Sequence, residues 1–184
     1  VAIKAKNMKT IIIAGITRSG LTLTTQMLNA GGYPCVGEYP SFEKYDIGEI
    51  PFEDCKGLAI KVVDTHNQFP PPGDYHVIRL SRCYVEQSKS IVKFSQFFGL
   101  PITSSERKQI LKGLPKDYVK IDKWAKRQDG FMSLNFEDII SNPETTALQL
   151  QKFVGIDLDI QKMIEVVFKR TIYCYDGMLE LQMI

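Results

Sequence analysis

Apolar residues fall along this chain in short continuous runs that alternate with stretches of helical period. Residues 9–14 end in Ile11-Ile12-Ile13-Ala14, and a run of that kind predicts a strand buried on both faces of a parallel sheet. A polar loop over 15–21 follows. From Thr22 the spacing of Leu23, Met27 and Leu28 predicts a helix that Gly31-Gly32 ends. Further strands are predicted over 33–36, 57–63, 75–80 and 131–136. Helices are predicted over 85–98, 104–111, 116–127, 143–154 and 160–169. Thr103 to Glu106 supplies capping residues, Pro143 stands in a first helical turn and Gly155 marks a helix stop. Residues 37–56 carry two prolines and no period, which predicts a long irregular connection of the kind that often holds function. Pro70-Pro71-Pro72 marks a rigid extended loop, and the tail from 170 fits no period.

Strands alternating with helices predict an α/β architecture, with a mainly parallel central sheet flanked by helices on both faces. Ligands of such sheets sit beyond the carboxyl ends of the strands. Polar residues cluster at those ends, at 18–22, 64–66 and 81–82. A length of 184 residues predicts one domain over 1–184. Met8 is a candidate natural start, so residues 1–8 are expected to be disordered or extraneous.

Composition narrows the function classes. A hydrophobic fraction of 44% and a charged fraction of 24% are those of a soluble globular protein. Net charge is +2, which provides no bulk field for nucleic acid, so any anion site is local. No apolar run approaches the roughly 18 residues of a membrane span, and the N-terminal apolar stretch is too short for a secretory leader. Cys35, Cys55, Cys83 and Cys174 are widely spaced without a metal-binding pattern, and read as reduced thiols of a cytoplasmic protein. No metal, nucleic-acid partner or membrane is expected.

The loop after the first strand nearly matches a Walker A phosphate loop. Gly15, Gly20 and Thr22 are in place, but Leu21 stands where the lysine belongs and the cation is Arg18. A glycine turn feeding a helix N-terminus presents backbone N–H groups and the positive end of the helix dipole. The alternative is a tight turn with an exposed arginine. Without a lysine to reach the β- and γ-phosphates, triphosphate hydrolysis is disfavoured. A cation ahead of Ser19-Gly20 suits a smaller 5′-phosphate group. Arg82 follows the strand YHVIRL, and Ser90 lies eight residues on inside the next helix, so the two can converge on a second phosphate. Each alone is commonplace.

Three segments together, GITRSGLTLTTQML, VIRLSRCYVEQSKSIVKF and LNFEDIISNPETTALQLQKFVGI, resemble the P-loop sulfotransferases that use 3′-phosphoadenosine 5′-phosphosulfate (PAPS). The resemblance implies a three-layer P-loop NTPase-like fold. It implies that Arg18, Ser19, Gly20, Leu21 and Thr22 hold the 5′-phosphosulfate. Arg82 and Ser90 would hold the 3′-phosphate of PAPS and of its product, PAP, while Glu137 and Asp138 would be structural. Thr65-His66 resembles the end of a Lys-Thr-His found at a strand end in the family, although Lys61 lies five residues ahead of His66 rather than two. His66 is the candidate general base because an imidazole titrates near neutrality. It is otherwise a surface loop histidine, with Asp64 the runner-up base or its orienter. Lys61 would support the transferring sulfuryl group, or is a strand lysine reaching an edge. Arg18 would also stabilise the leaving phosphate. His76 is expected to be structural. Tyr39, Phe42, Tyr45 and Phe52 either line an acceptor pocket or pack the loop, and Tyr173 and Tyr175 have no assignment.

The chain departs from the family at Leu21, where a threonine is common, and has no Arg-Lys-Gly or Gly-x-x-Gly-x-Trp segment near its end. Its single tryptophan is Trp124. Three readings are open. One is a sulfotransferase passing a sulfuryl group from PAPS to a hydroxyl or amine of a small-molecule or glycan acceptor, with release of PAP. The second is a P-loop nucleotide or small-molecule kinase. The third is a catalytically inactive PAP-binding module.

Overall fold

The computed structural model describes residues 8–45 and 49–174. Residues 1–7, which fall in the stretch 1–8 expected to be disordered or extraneous, three residues of the irregular connection and the tail from Tyr175 lie outside the described residues. Among the described residues four strands form one sheet: β1 (Thr10–Ala14), β2 (Ala59–Val62), β3 (Tyr75–Ser81) and β4 (Gly130–Asn135). Their order is β2-β1-β3-β4 and every pairing is parallel. The helices are α1 (Leu21–Ala30), α2 (Tyr84–Phe97), α3 (Ser104–Ala125), α4 (Phe136–Ser141), α5 (Pro143–Val154) and α6 (Ile160–Glu165).

The isoleucine run of β1 feeds two cores. Ile11 and Ile13 join Ile78 and Leu80 of β3 against Met27 and Leu28 of α1, Leu150 of α5 and Met163 of α6. Ile12 and Ala14 point the other way, with Ile60 and Val77, against Leu114, Tyr118, Ile121 and Ala125 of α3. All three isoleucines are fully enclosed, each contributing about 1.5–3 kcal/mol of apolar burial. The result is three layers, helix–sheet–helix, as the alternating pattern predicts.

Strand order positions the site. From β1 the chain passes through α1 to β2 on one side, and from β3 it passes through α2 and α3 to β4 on the other. The direction of progress reverses between β1 and β3, and a crevice opens beyond the carboxyl ends of strands at such a switch. The loop from Gly15 leaves β1 at this point and Arg82 leaves β3 beside it.

Several elements differ from their predicted form. The two helices expected over 104–127 are one, α3, with Pro115 inside it. An internal proline costs about 3 kcal/mol. The buried series Leu114, Tyr118, Ile121, Ala125 lies on one face beyond the break, and its packing on the sheet outweighs the defect. The Thr103–Glu106 capping box forms as expected. Residues 33–36 make a single bridge, Cys35 to Ala59, rather than a strand, since Pro34 has no N–H to extend the ladder. Phe136 opens the short helix α4 instead of ending β4. The helix expected over 160–169 stops at Glu165.

Close packing within the sheet generates a stability test. A Cβ at Gly130 would lie 2.1 Å from His76 Nδ1, and that ring is already edge-on to Phe153 at 5.7 Å. Gly130→Ala is expected to destabilise the fold by about 1–3 kcal/mol through overpacking. His76→Ala in the same chain should restore most of the loss, as read by thermal unfolding of the single and double variants.

Candidate functional site

The loop after β1 is held by the turn after β2. The Gly15 N–H donates to Thr65 Oγ1 at 3.1 Å, and the Thr65 N–H donates back to the Gly15 carbonyl at 3.1 Å. The Thr17 N–H donates to Asp64 Oδ1 at 2.8 Å. Thr65 is fully buried and its hydroxyl also bonds the Val62 carbonyl at 2.8 Å. The loop turns through left-handed backbone at Arg18 (φ 65) and Gly20 (φ 102). At Gly20 a Cβ would lie 3.0 Å from Phe136 Cδ2. Conformation and contact thus both favour glycine there. Gly20 caps α1 without a side-chain bond, and the first intrahelical bond runs from the Thr24 N–H to the Gly20 carbonyl. A helix start leaves the N–H groups of its first residues without partners in the helix, and here residues 20–23 line a cleft.

That cleft is a cavity of about 190 Å³ whose lining includes Arg18, Gly20, Thr22, Arg82, Phe136 and Arg170. Arg82 lies 4.2 Å over the centroid of the Phe136 ring, and Arg170 lies 5.3 Å from the same centroid. Arg18 sits 5.0 Å from the Phe94 ring centroid, and its Nε donates to Ser90 Oγ at 3.0 Å. Arg82 donates to the carbonyls of Arg18 (3.3 Å) and Ile172 (3.4 Å). Burial, and then the neighbouring guanidinium groups, push Arg18 and Arg170 down to about 10; burial also lowers Arg82. All three stay cationic at neutral pH. Their mutual repulsion is what a bound anion would relieve.

The chain after α6 closes one side of this cavity. Buried Glu86 accepts the Cys174 N–H at 2.6 Å and the Lys89 ammonium at 2.7 Å, which ties residues 172–174 to α2. Arg170 is brought in by this segment.

A second cavity of about 330 Å³ shares Thr17, Glu43, Val63 and Phe94 with the first. Its other walls are mostly apolar and include Phe42, Tyr45, Phe52 and Phe69. Three of the four candidate aromatics from 37–56 therefore line a cavity. Tyr39 is exposed and lines neither, packing edge-on against Phe42. Lys61 lies between the two clefts. Its ammonium donates to Thr22 Oγ1 at 3.3 Å, to Glu43 Oε1 at 2.8 Å and to the Ser41 carbonyl. Burial lowers its pKa, and the Glu43 bond opposes that shift.

Of the sequence-derived candidates, Arg18, Gly20, Leu21, Thr22 and Arg82 line the arginine cavity, and Lys61 lines the apolar one. Leu21, the first residue of α1, is buried with its side chain in the core cluster at the edge of the cavity, so an apolar group stands at the Walker lysine position. Ser19 and Ser90 are fully buried and line neither cavity; Ser90 touches the site through Arg18.

His66, the expected base, also lines neither. Its Nε2 lies 3.6 Å from Asp117 Oδ2 of α3. The left-handed turn at Asp64 (φ 49) follows β2 and precedes His66 in the chain. The residue two beyond Lys61, where the Lys-x-His spacing would put the histidine, is Val63, and it lines both cavities. Asp64 holds the Thr17 N–H and lines neither cavity. His76 packs on Phe153 from within the sheet, and Glu137 accepts the Cys83 N–H at 3.0 Å at the start of α2. Phe94, Phe136, Arg170 and Glu43 had no local signal in the sequence. Among the described residues no His, Cys, Asp or Glu cluster is placed to hold a metal, and no helix is long and apolar enough to cross a membrane.

No family model and no curated protein matches the sequence. Solved structures do match its fold. Mouse sulfotransferase SULT7A1 complexed with PAP matches with a TM-score of 0.61 at 14% identity, over 90% of this chain and 64% of that one. Retinol dehydratase in complex with androsterone and the inactive cofactor PAP matches with a TM-score of 0.58 at 15% identity, over 86% and 63%. Retinol dehydratase with retinol and PAP gives 0.53 at 14% identity, over 86% and 63%. The chain therefore has a sulfotransferase-like fold, and it spans slightly less than two thirds of the length of these structures.

The brace under the loop can be tested directly. Thr65→Val keeps the shape but removes the acceptor for the Gly15 N–H, which stays buried. A loss of about 1–3 kcal/mol is expected, read as a lower midpoint in thermal or urea unfolding.

Proposed function

We propose that the protein transfers a sulfuryl group from PAPS to a hydroxyl or amine of a small acceptor and releases PAP. The observation that carries this reading is the convergence of Arg18, Arg82 and Arg170 on the N-terminus of α1, in one cavity at the switch point of the sheet. In this reading the helix start, Thr22 and Arg18 hold the 5′-phosphosulfate. Arg82 and Arg170 hold the 3′-phosphate, with Phe136 as the platform for both guanidiniums. Ser19 and Ser90 act from beneath, Ser90 by fixing Arg18. Leu21, buried in the core, offers nothing to a γ-phosphate, which disfavours a kinase. The neighbours bound to PAP support the nucleotide, and those holding androsterone or retinol support a small apolar acceptor in the adjoining cavity.

The step needs in-line geometry and charge compensation. The acceptor atom attacks sulfur from the apolar cavity while the sulfur–oxygen bond to the 5′-phosphate breaks. Charge then gathers on that phosphate, where Arg18 and the helix dipole offset it. Lys61, between the two cavities, acts on the transfer through its neighbours, holding Thr22 and Glu43 in place. The position of His66 outside both cavities favours one second reading, a PAP-binding module without transfer.

Thermal unfolding with adenosine 3′,5′-bisphosphate, AMP, or ATP with Mg²⁺ tests the nucleotide. The bisphosphate is expected to give the largest rise, worth about 2.7 kcal/mol at a hundred times its Kd. A larger rise with ATP overturns the reading. Arg82→Ala and Arg170→Ala should each erase the advantage of the bisphosphate over AMP; an unchanged advantage would put the 3′-phosphate elsewhere.

A further inference from the structure

We propose that Glu43 is the proton acceptor of the transfer step; this rests on the sulfotransferase reading above. Attack by a neutral hydroxyl requires a base at the wall between nucleotide and acceptor. Among the described residues lining the two cavities Glu43 is the one carboxylate, it lines both, and no histidine lines either. Val63 occupies the shared wall where the Lys-x-His spacing would put an imidazole.

Lys61 is not an alternative. An ammonium has three donors and no lone pair. Those of Lys61 go to Thr22, Ser41 and Glu43. Its role is to aim the carboxylate. The segment carrying Glu43 is pinned directly ahead of it, by the Ser41 carbonyl on Lys61 and by Phe42, buried with a left-handed backbone (φ 57). Thr22, Lys61 and Glu43 thus form a chain from the phosphate loop to the mouth of the apolar cavity.

The step balances as follows. The acceptor O–H bond breaks and its proton passes to a Glu43 carboxylate oxygen. The acceptor oxygen forms its bond to sulfur. The bond from sulfur to the bridging oxygen breaks, and its electron pair stays on the 5′-phosphate of PAP. Neither an oxidant nor a further reactant is required.

Glu43→Gln preserves an acceptor for Lys61 and removes the base. Transfer from PAPS is measured with two acceptors, cyclohexanol and para-nitrophenol, the second acidic enough to ionise without help near neutral pH. The variant should keep the thermal shift given by adenosine 3′,5′-bisphosphate. Its kcat with cyclohexanol should fall by roughly a hundredfold or more, and with para-nitrophenol by less than about fivefold. Equal falls with both acceptors would make Glu43 a positioning residue and overturn the proposal, as would undiminished turnover. If the unaltered protein binds the bisphosphate but transfers to neither acceptor, this proposal fails while the nucleotide assignment stands. If the bisphosphate does not bind, both fail.

Discussion

Three guanidinium groups held in one half-enclosed cavity are the constraint that the rest of this structure serves. Arg18, Arg82 and Arg170 come from the loop after β1, the exit of β3 and the segment after α6. Desolvation and like charge both oppose that gathering. The fold counters them locally. Phe136 presents one ring to two of the arginines, Ser90 and Phe94 engage the third, and the carbonyls of Arg18 and Ile172 accept from Arg82. The apolar layers on both faces of β1 supply the stability that lets such a charged cluster persist.

The turn after β2 is the second organising feature. Its Asp64 and Thr65 bond the backbone of the loop after β1, so they shape the wall of the arginine cavity without lining it. Lys61, earlier on the same strand, extends the connection outward. Through Thr22 it touches the arginine cavity, and through Ser41 and Glu43 it holds the segment that borders the apolar one. One buried ammonium thus bonds residues of both cavities.

The strand–loop–helix of 9–30 was legible because its determinants are local: an apolar run, two glycines and a helical period. Arg82 was legible because it stands at a strand exit, and such exits face the ligand in a parallel sheet. Arg170 was not, since the tail has no period and is placed by the Glu86 and Arg82 contacts across the fold. The break expected between 111 and 116 is absent for a related reason: Pro115 there is a local defect overridden by packing against the sheet. His66 drew attention by residue type, yet the left-handed turn at Asp64 stands ahead of it and its ring lies against α3.

The sequence by itself determined the layered α/β architecture, the phosphate-sized loop and the absence of a Walker lysine, because near-neighbour sterics and hydrophobic period suffice for these. Only the tertiary structure decided which charges share a cavity, what Lys61 holds and which carboxylate stands where the two cavities meet. Those outcomes depend on contacts between residues tens of positions apart, such as Lys61 with Glu43 and Arg82 with Ile172. Spacing along a chain does not specify contacts of that range until the sheet has assembled.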